Sequence, residues 1–309
     1  MAATWRRHAC RNSAKGRPLV QIGTLGGVSA VAGVVLAGGR STRMGRPKAS
    51  LEWHGSTLLH RVTGIVFRAV DGPVVVVRAP DQELPALPPG VRVAEDAAEG
   101  RGPLQGLAAG LAAVVGEAQV AYVSSTDVPL LHPAFVGAVL GAATREDVDV
   151  ALPVLHGYRH PLAAAYRTSL LPVVEELIEQ DRMRPAFLFE SSRVRELNEE
   201  DLLRDAELAD ADPELLSVLN VNEPDDYERA RARAAPSVTV RRFGTLAAGL
   251  GREPLAVRAA TLEAAAAAAG LALDRHVVAA LNGDQISRDP ELPLAAGDAV
   301  AFLSADAGG

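Results

Sequence analysis

Two stretches of this chain combine backbone freedom, positive charge and a carboxylate in the way that phosphate chemistry requires. The first is Leu36-Ala37-Gly38-Gly39-Arg40-Ser41-Thr42-Arg43-Met44-Gly45-Arg46-Pro47-Lys48, which follows the apolar run Val31-Ala32-Gly33-Val34-Val35. A strand that opens into a Gly-Gly turn presents main-chain N–H groups, and the missing Cβ atoms let a phosphate approach them closely. Arg43 adds a fixed positive charge and Lys48 a mobile one. The second stretch is Ser125-Thr126-Asp127-Val128-Pro129-Leu130, where one carboxylate follows an apolar strand. Magnesium prefers one or two carboxylates supplemented by phosphate oxygens and water. The residues thus predict a nucleoside triphosphate on Leu36, Ala37, Gly38 and Gly39. Arg43 and Lys48 would offset its charge, and Asp127 would ligate Mg2+. Two commoner phosphate loops do not fit. Lys48 sits between Pro47 and Ala49 rather than in Gly-Lys-Ser/Thr, and Gly38-Gly39 does not give Gly-x-Gly-x-x-Gly.

Other candidate chemistry is thinner. His156 and His160 stand four apart, but Gly157 and Pro161 argue against a helix and no third metal ligand is evident, so a substrate loop is the preferred reading. Cys10 is the only cysteine, which excludes a disulfide framework and a cysteine-based zinc site. No Ser-His-Asp or Cys-His nucleophile arrangement stands out.

The elements that must position these residues alternate. Strands are expected at 31–35, at Val74-Val75-Val76-Val77, at Val91-Arg92-Val93, at Ala121-Tyr122-Val123-Ser124, from Val148 to Leu152 and at Leu216–Val221. Helices are expected after a cap at Ser56 or Thr57, with Leu58, Val62, Ile65, Val66 and Ala69 on one face, then from Pro103 to Val115, from Leu171 to Gln180 and from Pro224. This alternation predicts an α/β fold, a Rossmann-like parallel or mixed sheet with helices on both faces. Ligands in such sheets lie beyond the carboxyl ends of the strands, where the Gly-Gly loop, Asp96, Asp127 and Asn222 would converge. Pro236 ends the first pattern. Beyond it, Val238–Phe243 reads as a strand and Thr261-Leu262-Glu263 with the following alanines as a helix closed by Gly270. Val277–Leu281 is a strand leading into an Asn282-Gly283 hairpin turn, and Gly297-Asp298 turns into a last strand, Ala299–Leu303. The expected organisation is a disordered basic extension over 1–30, a first domain over 31–235 and a second over 237–309.

With 309 residues and 48% apolar content, the chain can build two cores. The net charge of −7 argues against general nucleic-acid binding. The charge is uneven. Residues 1–30 carry Arg6, Arg7, Arg11, Lys15 and Arg17 with no acid, whereas residues 237–309 hold six arginines against eight acids. The uncharged stretch Leu19–Gly39 behind the basic segment invites a signal-peptide or membrane reading, but its second half is needed as the strand feeding the phosphate loop. A cytoplasmic enzyme with no membrane association is expected.

The first loop, with Arg43, Met44, Gly45 and Lys48 all in place, resembles the LAGG-x-x-x-RMG-x-x-K signature of nucleotidyltransferases, and within them the molybdenum cofactor guanylyltransferases. The resemblance covers about residues 31–232. It implies Mg2+ on Asp127, and a nucleotide contacted by Asp96 and by Gly102, Pro103 and Leu104 of Gly102-Pro103-Leu104-Gln105-Gly106. It also implies a pterin side built from Tyr158-Arg159-His160-Pro161 and from Asn220 and Asn222 of Leu219-Asn220-Val221-Asn222-Glu223-Pro224. The implied reaction is attack of the molybdopterin phosphate on the α-phosphate of GTP, with pyrophosphate leaving. A phosphate oxygen is already ionised at neutral pH, so no side-chain nucleophile is needed. Two residues depart from the family's habit: Pro47 stands where an Asp often precedes the lysine, and Arg78 where an Asn often follows the second strand. Ala37-Gly38-Gly39 favours guanine over the Ala-Ala-Gly of cytidylyltransferase relatives.

The strand, helix and final-strand pattern of 237–309, ending in Gly308-Gly309, resembles the ubiquitin-like sulfur carriers, among them the small subunit of molybdopterin synthase. That resemblance implies a β-grasp domain. It also implies partnership with an E1-like adenylating enzyme and the large subunit of molybdopterin synthase, with the Gly309 carboxylate converted to a thiocarboxylate. Leu303-Ser304-Ala305-Asp306 stands where that family usually has Pro-Pro. The competing readings are a cytidylyltransferase or another nucleotidyltransferase with a different acceptor, and a catalytically silent carrier or interaction protein. Intact Lys48 and Asp127 argue against the last.

Overall fold

The computed structural model describes residues 29–38, 46–96, 101–144, 147–248, 251, 253–283 and 285–304. The proposed extension over 1–30 lies outside these except for its last two residues, and so do Gly39, Arg43, Met44 and Gly45 of the phosphate loop and the terminal Gly308 and Gly309.

The chain enters on β1 (Ser29–Leu36), whose residues are apolar at nearly every position because both of its faces are covered. Val31 and Val35 face one helical layer, Ala32 and Val34 the other. After the loop come a short 3-10 turn at Lys48–Ser50 and a hairpin of β2 (Glu52–Trp53) and β3 (Ser56–Thr57). Then α1 (Leu58–Ala69) starts on the expected cap, with the Thr57 hydroxyl accepting from His60 N. Next follow β4 (Val74–Arg78), β5 (Arg92–Glu95) and α2 (Pro103–Ala112), which stops at Ala112 rather than Val115. β6 (Ala118–Ser125) leads to α3 (Pro133–Ala143), and then come β7 (Val150–Leu155), β8 (Tyr158–Arg159) and β9 (Ala163–Arg167). The first half closes with α4 (Leu171–Glu179), α5 (Pro185–Glu190), β10 (Val194–Leu197), α6 (Glu199–Leu203), α7 (Ala206–Ala211) and α8 (Pro224–Arg231).

The main sheet has the order β10-β7-β9-β6-β1-β4-β5, with β8 paired to β7. It is mixed. β9 runs antiparallel between β6 and β7, which corrects the wholly parallel expectation and matches the mixed alternative. Helices α1 and α3 cover one face and α2 and α4 the other. The close approach of α2 depends on Gly110, where a Cβ would stand 2.4 Å from Val34 Cγ1.

A second correction concerns Leu216–Val221, expected as a strand. It forms a 3-10 turn at Leu216–Val218. The Asp212 carboxylate accepts from the Leu216 and Ser217 N–H groups and from the Ser217 hydroxyl, at 2.7–2.9 Å, and holds the segment as a turn. Asn222 therefore follows a turn, not a strand end.

Residues beyond Pro236 build a separate five-stranded sheet. Its elements are β11 (Ser237–Arg242), α9 (Thr245–Ala248), β12 (Leu255–Arg258), α10 (Leu262–Ala268), β13 (Val277–Leu281), β14 (Gln285–Ser287) and β15 (Ala299–Ser304). The order is β12-β11-β15-β13-β14, with β11 and β15 a parallel central pair. Asn282 and Gly283 lie in the connection between the antiparallel β13 and β14, and both have positive φ. Val240, Leu262, Leu281, Val300 and Phe302 centre a core between this sheet and α10.

The two halves are not strung loosely together. Gly64 of α1 lies against Pro293, whose ring carbons would stand 2.6 and 2.7 Å from a Cβ at that position. Arg68 donates to Pro293 O at 2.7 Å and pairs with the buried Asp298 at 2.6 Å. Ala295 belongs to the same buried cluster as α1 and α3.

Candidate active site

The site lies where the register of the main sheet brings three strand ends level. Leu36 of β1 pairs with Val77 of β4 on one side and with Ser125 of β6 on the other. The entry to the phosphate loop is fixed from both neighbours. Ala37 N donates to Val77 O at 2.8 Å, Gln82 Nε2 donates to Ala37 O at 3.0 Å, and Thr126 Oγ1 donates to Leu36 O at 2.9 Å. Gly38 faces the backbone of Ala79, which a Cβ would meet at 3.4 Å.

Past the undescribed residues 39–45 the chain returns with Lys48. Its ammonium donates to Asp127 Oδ2 and to Asn222 Oδ1, both at 2.8 Å. Asp127 Oδ1 accepts from Ser125 Oγ at 2.6 Å. The Asp127 carbonyl accepts from Val221 N at 2.8 Å, which locks the Asn222 segment to the end of β6. Three residues from three distant parts of the sequence, Lys48, Asp127 and Asn222, therefore meet at one point. A cation already sits on the Asp127 carboxylate, so this oxygen is accessible to positive charge. The described residues hold no cluster of three or more metal-ligating side chains. A divalent ion would fit here only as magnesium is usually held, by one carboxylate with phosphate oxygens and water completing its shell.

Ser125 also lines a cavity of about 150 Å³ together with Arg159, His160, Pro161 and Asn220. This brings the His160–Pro161 loop and Asn220 beside Asp127. The His160 ring bonds the Leu155 carbonyl at 3.3 Å, and burial holds its pKa below the ordinary imidazole value. His156 sits in the β7–β8 hairpin turn with a φ of 53° and His160 follows β8, so the two histidines flank a short strand and do not share a helix face. Tyr158 is exposed, and Arg159 is tied to Glu196 at 2.6 Å.

On the other flank, Asp96 N donates to Arg78 O at 2.8 Å at the end of β5. Gly102 turns into α2 with a φ of 108°, a conformation that favours glycine, and Pro103 opens the helix. Leu104 points its side chain into the core, fully buried, so its main chain is what it can offer a ligand. Arg78 is bound to its own surroundings, with Nη2 on Glu95 at 2.6 Å and Nη1 on Gln82 O at 2.9 Å.

Sequence reasoning quoted Ser125, two residues before Asp127, without giving it a role, and it missed the support behind Lys48 and Asn222. The β2–β3 hairpin after Lys48 docks on α8 after Asn222. The Tyr227 hydroxyl donates to Glu52 O, Arg231 pairs with Glu52 at 2.6 Å, and Trp53 packs edge-on to Tyr227.

Residues 33–194 match the family described as the MobA-like NTP transferase domain. The chain is 40% identical over 151 residues to a probable molybdenum cofactor guanylyltransferase of Mycolicibacterium paratuberculosis, spanning 48% of this chain and 75% of that protein. It is 39% identical over 165 residues to the protein of the same description from Mycobacterium tuberculosis, spanning 52% and 80%. The molybdopterin-guanine dinucleotide biosynthesis protein A of Archaeoglobus fulgidus shares the fold. It aligns with a TM-score of 0.52 at 23% identity over 65% of this chain and 96% of that one. The meeting of Lys48, Asp127 and Asn222 past the carboxyl ends of β1 and β6, together with one family matched over more than half of the chain, makes this protein a nucleotidyltransferase of the MobA-like NTP transferase family.

Proposed function

We propose that the chain transfers GMP from GTP to the phosphate of molybdopterin and releases pyrophosphate. The observation that carries this reading is the convergence of Lys48, Asp127 and Asn222 past the adjacent ends of β1 and β6. An acceptor phosphate oxygen forms a bond to the α-phosphorus, and the bond from that phosphorus to the bridging oxygen breaks, leaving pyrophosphate with the electron pair. Gly38 and Gly39 supply main-chain donors close to the phosphates. Lys48, with Arg43 of the same loop, offsets charge on the reacting and leaving oxygens. Asp127 would hold Mg2+, which when bound supplies further positive charge at the phosphates. Asp96 and the main chain at Gly102, Pro103 and Leu104 flank the nucleoside. His160, Pro161, Asn220 and Asn222 form the acceptor side, consistent with the cavity that Ser125 shares with His160 and Asn220. Such a reaction suits the cytoplasm, where its nucleotide is abundant, and the described residues include no helix long and apolar enough to cross a membrane.

The second half, which we take as a domain over 237–309, is read as a ubiquitin-like sulfur carrier with Gly308-Gly309 as its working end. What supports this is the strand order β12-β11-β15-β13-β14, with a parallel central pair and α10 on one face, the arrangement of a β-grasp. The direction of β15 also suits it. The strand leaves Asp298, at the contact with α1, and its six residues span about 20 Å at some 3.3 Å each. Ser304 therefore stands well away from the contact with the first half, on the side where an adenylating enzyme could approach.

Thermal-shift titration with GTP, CTP, ATP and UTP in Mg2+ tests the nucleotide assignment, because a ligand that binds only the folded state raises stability with its saturation. GTP is expected to stabilise most. A larger shift with CTP would move the reading to a cytidylyltransferase, and no shift with any nucleotide would overturn it.

A further inference from the structure

The contact between the two halves reaches the loop that carries Asp127. The Arg61 side chain of α1 is buried. Its Nε donates to Pro129 O at 2.5 Å, two residues after Asp127. Its Nη1 donates to Ala260 O and Leu294 O of the second half, at 3.4 and 3.3 Å. One guanidinium thus ties the Asp127 loop to two strand-flanking carbonyls beyond Pro236. Burial brings its pKa down to about 10, so it remains charged at neutral pH. A buried cation held by carbonyl dipoles is costly to misplace.

The same loop is tied a second time at its far end. His132 caps α3 by accepting from Ala134 N on Nδ1, so its Nε2 carries the proton and donates to Ala296 O at 3.1 Å. Val128, just before the first tie, and Leu131, just before the second, are both buried. At its near end, Asp127 O and Thr126 Oγ1 fasten it to the Asn222 segment and to β1. The second half therefore supplies three of the acceptors that define where this loop sits.

We infer that the second half is a working part of the transferase site: the segments around Ala260 and Leu294–Ala296, acting through the positioning residues Arg61 and His132, hold the Asp127 loop in register with Lys48. This rests on the transferase reading given above. It differs from a picture in which a carrier is merely tethered to an independent enzyme, because separating the halves would leave Arg61 and His132 with unanswered donors directly behind Asp127.

Gly64 offers a way to disturb the contact without touching the site. Alanine is the better helix former at this position, but its Cβ would stand 2.6 Å from the Pro293 ring, a contact that the ring cannot relieve by rotation. Gly64→Ala wedges α1 from the second half, and Pro293→Ala removes the ring atoms that the new methyl meets. The full-length wild type, Gly64→Ala, Pro293→Ala, the double variant and Arg61→Lys are compared at a temperature where melting curves show each to be folded. Two readouts are taken: the Mg2+ concentration giving half-maximal pyrophosphate release, and Mn2+ affinity in the presence of GTP without acceptor, from water-proton relaxation. In Gly64→Ala and Arg61→Lys the metal requirement is expected to rise about fivefold or more, with Mn2+ affinity falling in parallel and KM for GTP at saturating metal within twofold of wild type. Pro293→Ala in the Gly64→Ala background should restore both. A lower melting temperature with an unchanged metal requirement and Mn2+ affinity would show a purely structural contact and overturn the inference, as would failure of the double variant to recover. An inactive wild type would instead contradict the transferase reading, and the Mn2+ titration would still decide the inference.

Discussion

The Lys48 ammonium stands 2.8 Å from the Asp127 carboxylate, with side-chain exposures of 21% and 14%. Lys48 opens the 3-10 turn after the loop that follows β1 and Asp127 lies just past β6, 79 residues apart in the chain. In this arrangement each neutralises the other. A triphosphate with its metal would replace the pair by two new ones, lysine with phosphate and aspartate with metal, so each of the two side chains would exchange one opposite charge for another on loading.

Removing either member unbalances it. Asp127→Ala is expected to lower transfer about a hundredfold or more, the usual scale for losing a group aimed at transition-state charge. Circular dichroism should show an intact fold, and near-wild-type turnover at saturating Mg2+ would refute the assigned role. Lys48→Ala should weaken both GTP affinity and turnover, because a lysine acts on phosphate as a point charge in ground and transition state alike. Unchanged affinity and rate would place the phosphate elsewhere.

Asn222 has a subtler part. Its Oδ1 accepts from Lys48 at 2.8 Å, a hydrogen bond to a charged donor. Such bonds contribute about 1.5–3 kcal/mol. Asn222→Ala is therefore expected to cost about tenfold in kcat/KM, and less than Lys48→Ala. A double variant with Lys48→Ala should cost little more than Lys48→Ala alone, since the bond is already lost. Full additivity in the double-mutant cycle would show that Asn222 acts independently of Lys48.

The candidate site is legible in the residue types themselves. Glycines, a lysine and an aspartate after apolar runs imply phosphate and metal chemistry by residue type alone, and of the two cap candidates Ser56 and Thr57 it is Thr57 that caps α1. Where the sequence misled, tertiary contacts decided. Leu216–Val221 is mostly apolar and reads as a strand, yet the Asp212 side chain accepts from the Leu216 and Ser217 N–H groups and holds a turn. Helix α3 is apolar on most sides, so it carries no clear periodic stripe, and β9 is built from alanines with little strand character of their own. Arg61 reads as one more charge on an amphipathic helix. Only the packed second half shows that it is buried.

The contact between the halves has its own pH signature at His60. Burial alone would lower its pKa, but its bonds to Asp289 and to the Ala86 carbonyl, with Glu291 nearby, outweigh this and raise it. Protons are then bound more tightly in the folded state. The stabilisation is fully present below the unfolded value of about 6.5 and fades as pH rises through the raised folded value. Wild type should exceed His60→Gln in melting temperature most below pH 6, with the gap narrowing as pH climbs past neutrality. A gap that widens with pH would reverse the sign and contradict the pairing.

Gly110 tests the packing of α2 on the sheet. Gly110→Ala gains about 1 kcal/mol of helix propensity but forces a methyl to within 2.4 Å of the buried Val34 Cγ1. Overpacking of this kind costs about 1–3 kcal/mol, so a net loss of stability is expected in urea unfolding. A net gain would mean that α2 can slide on β1.

The tail is expected to be dispensable for transfer. Deleting Gly308-Gly309 should leave GMP transfer near wild type while abolishing oxygen-to-sulfur exchange at the terminal carboxylate, read by mass spectrometry after incubation with an adenylating enzyme, ATP and a sulfur donor. An intact chain that never gains sulfur would make the second half a support for the transferase and not a carrier.

Acceptor-dependent pyrophosphate release tests the central claim most directly. Purified full-length chain is supplied with Mg2+, one nucleoside triphosphate and molybdopterin, and both products are quantified. The account predicts one pyrophosphate per molybdopterin guanine dinucleotide formed from GTP, with both products falling about a hundredfold or more in Asp127→Ala. Pyrophosphate release from CTP in preference to GTP, or no release from any nucleotide when molybdopterin is added, would contradict it.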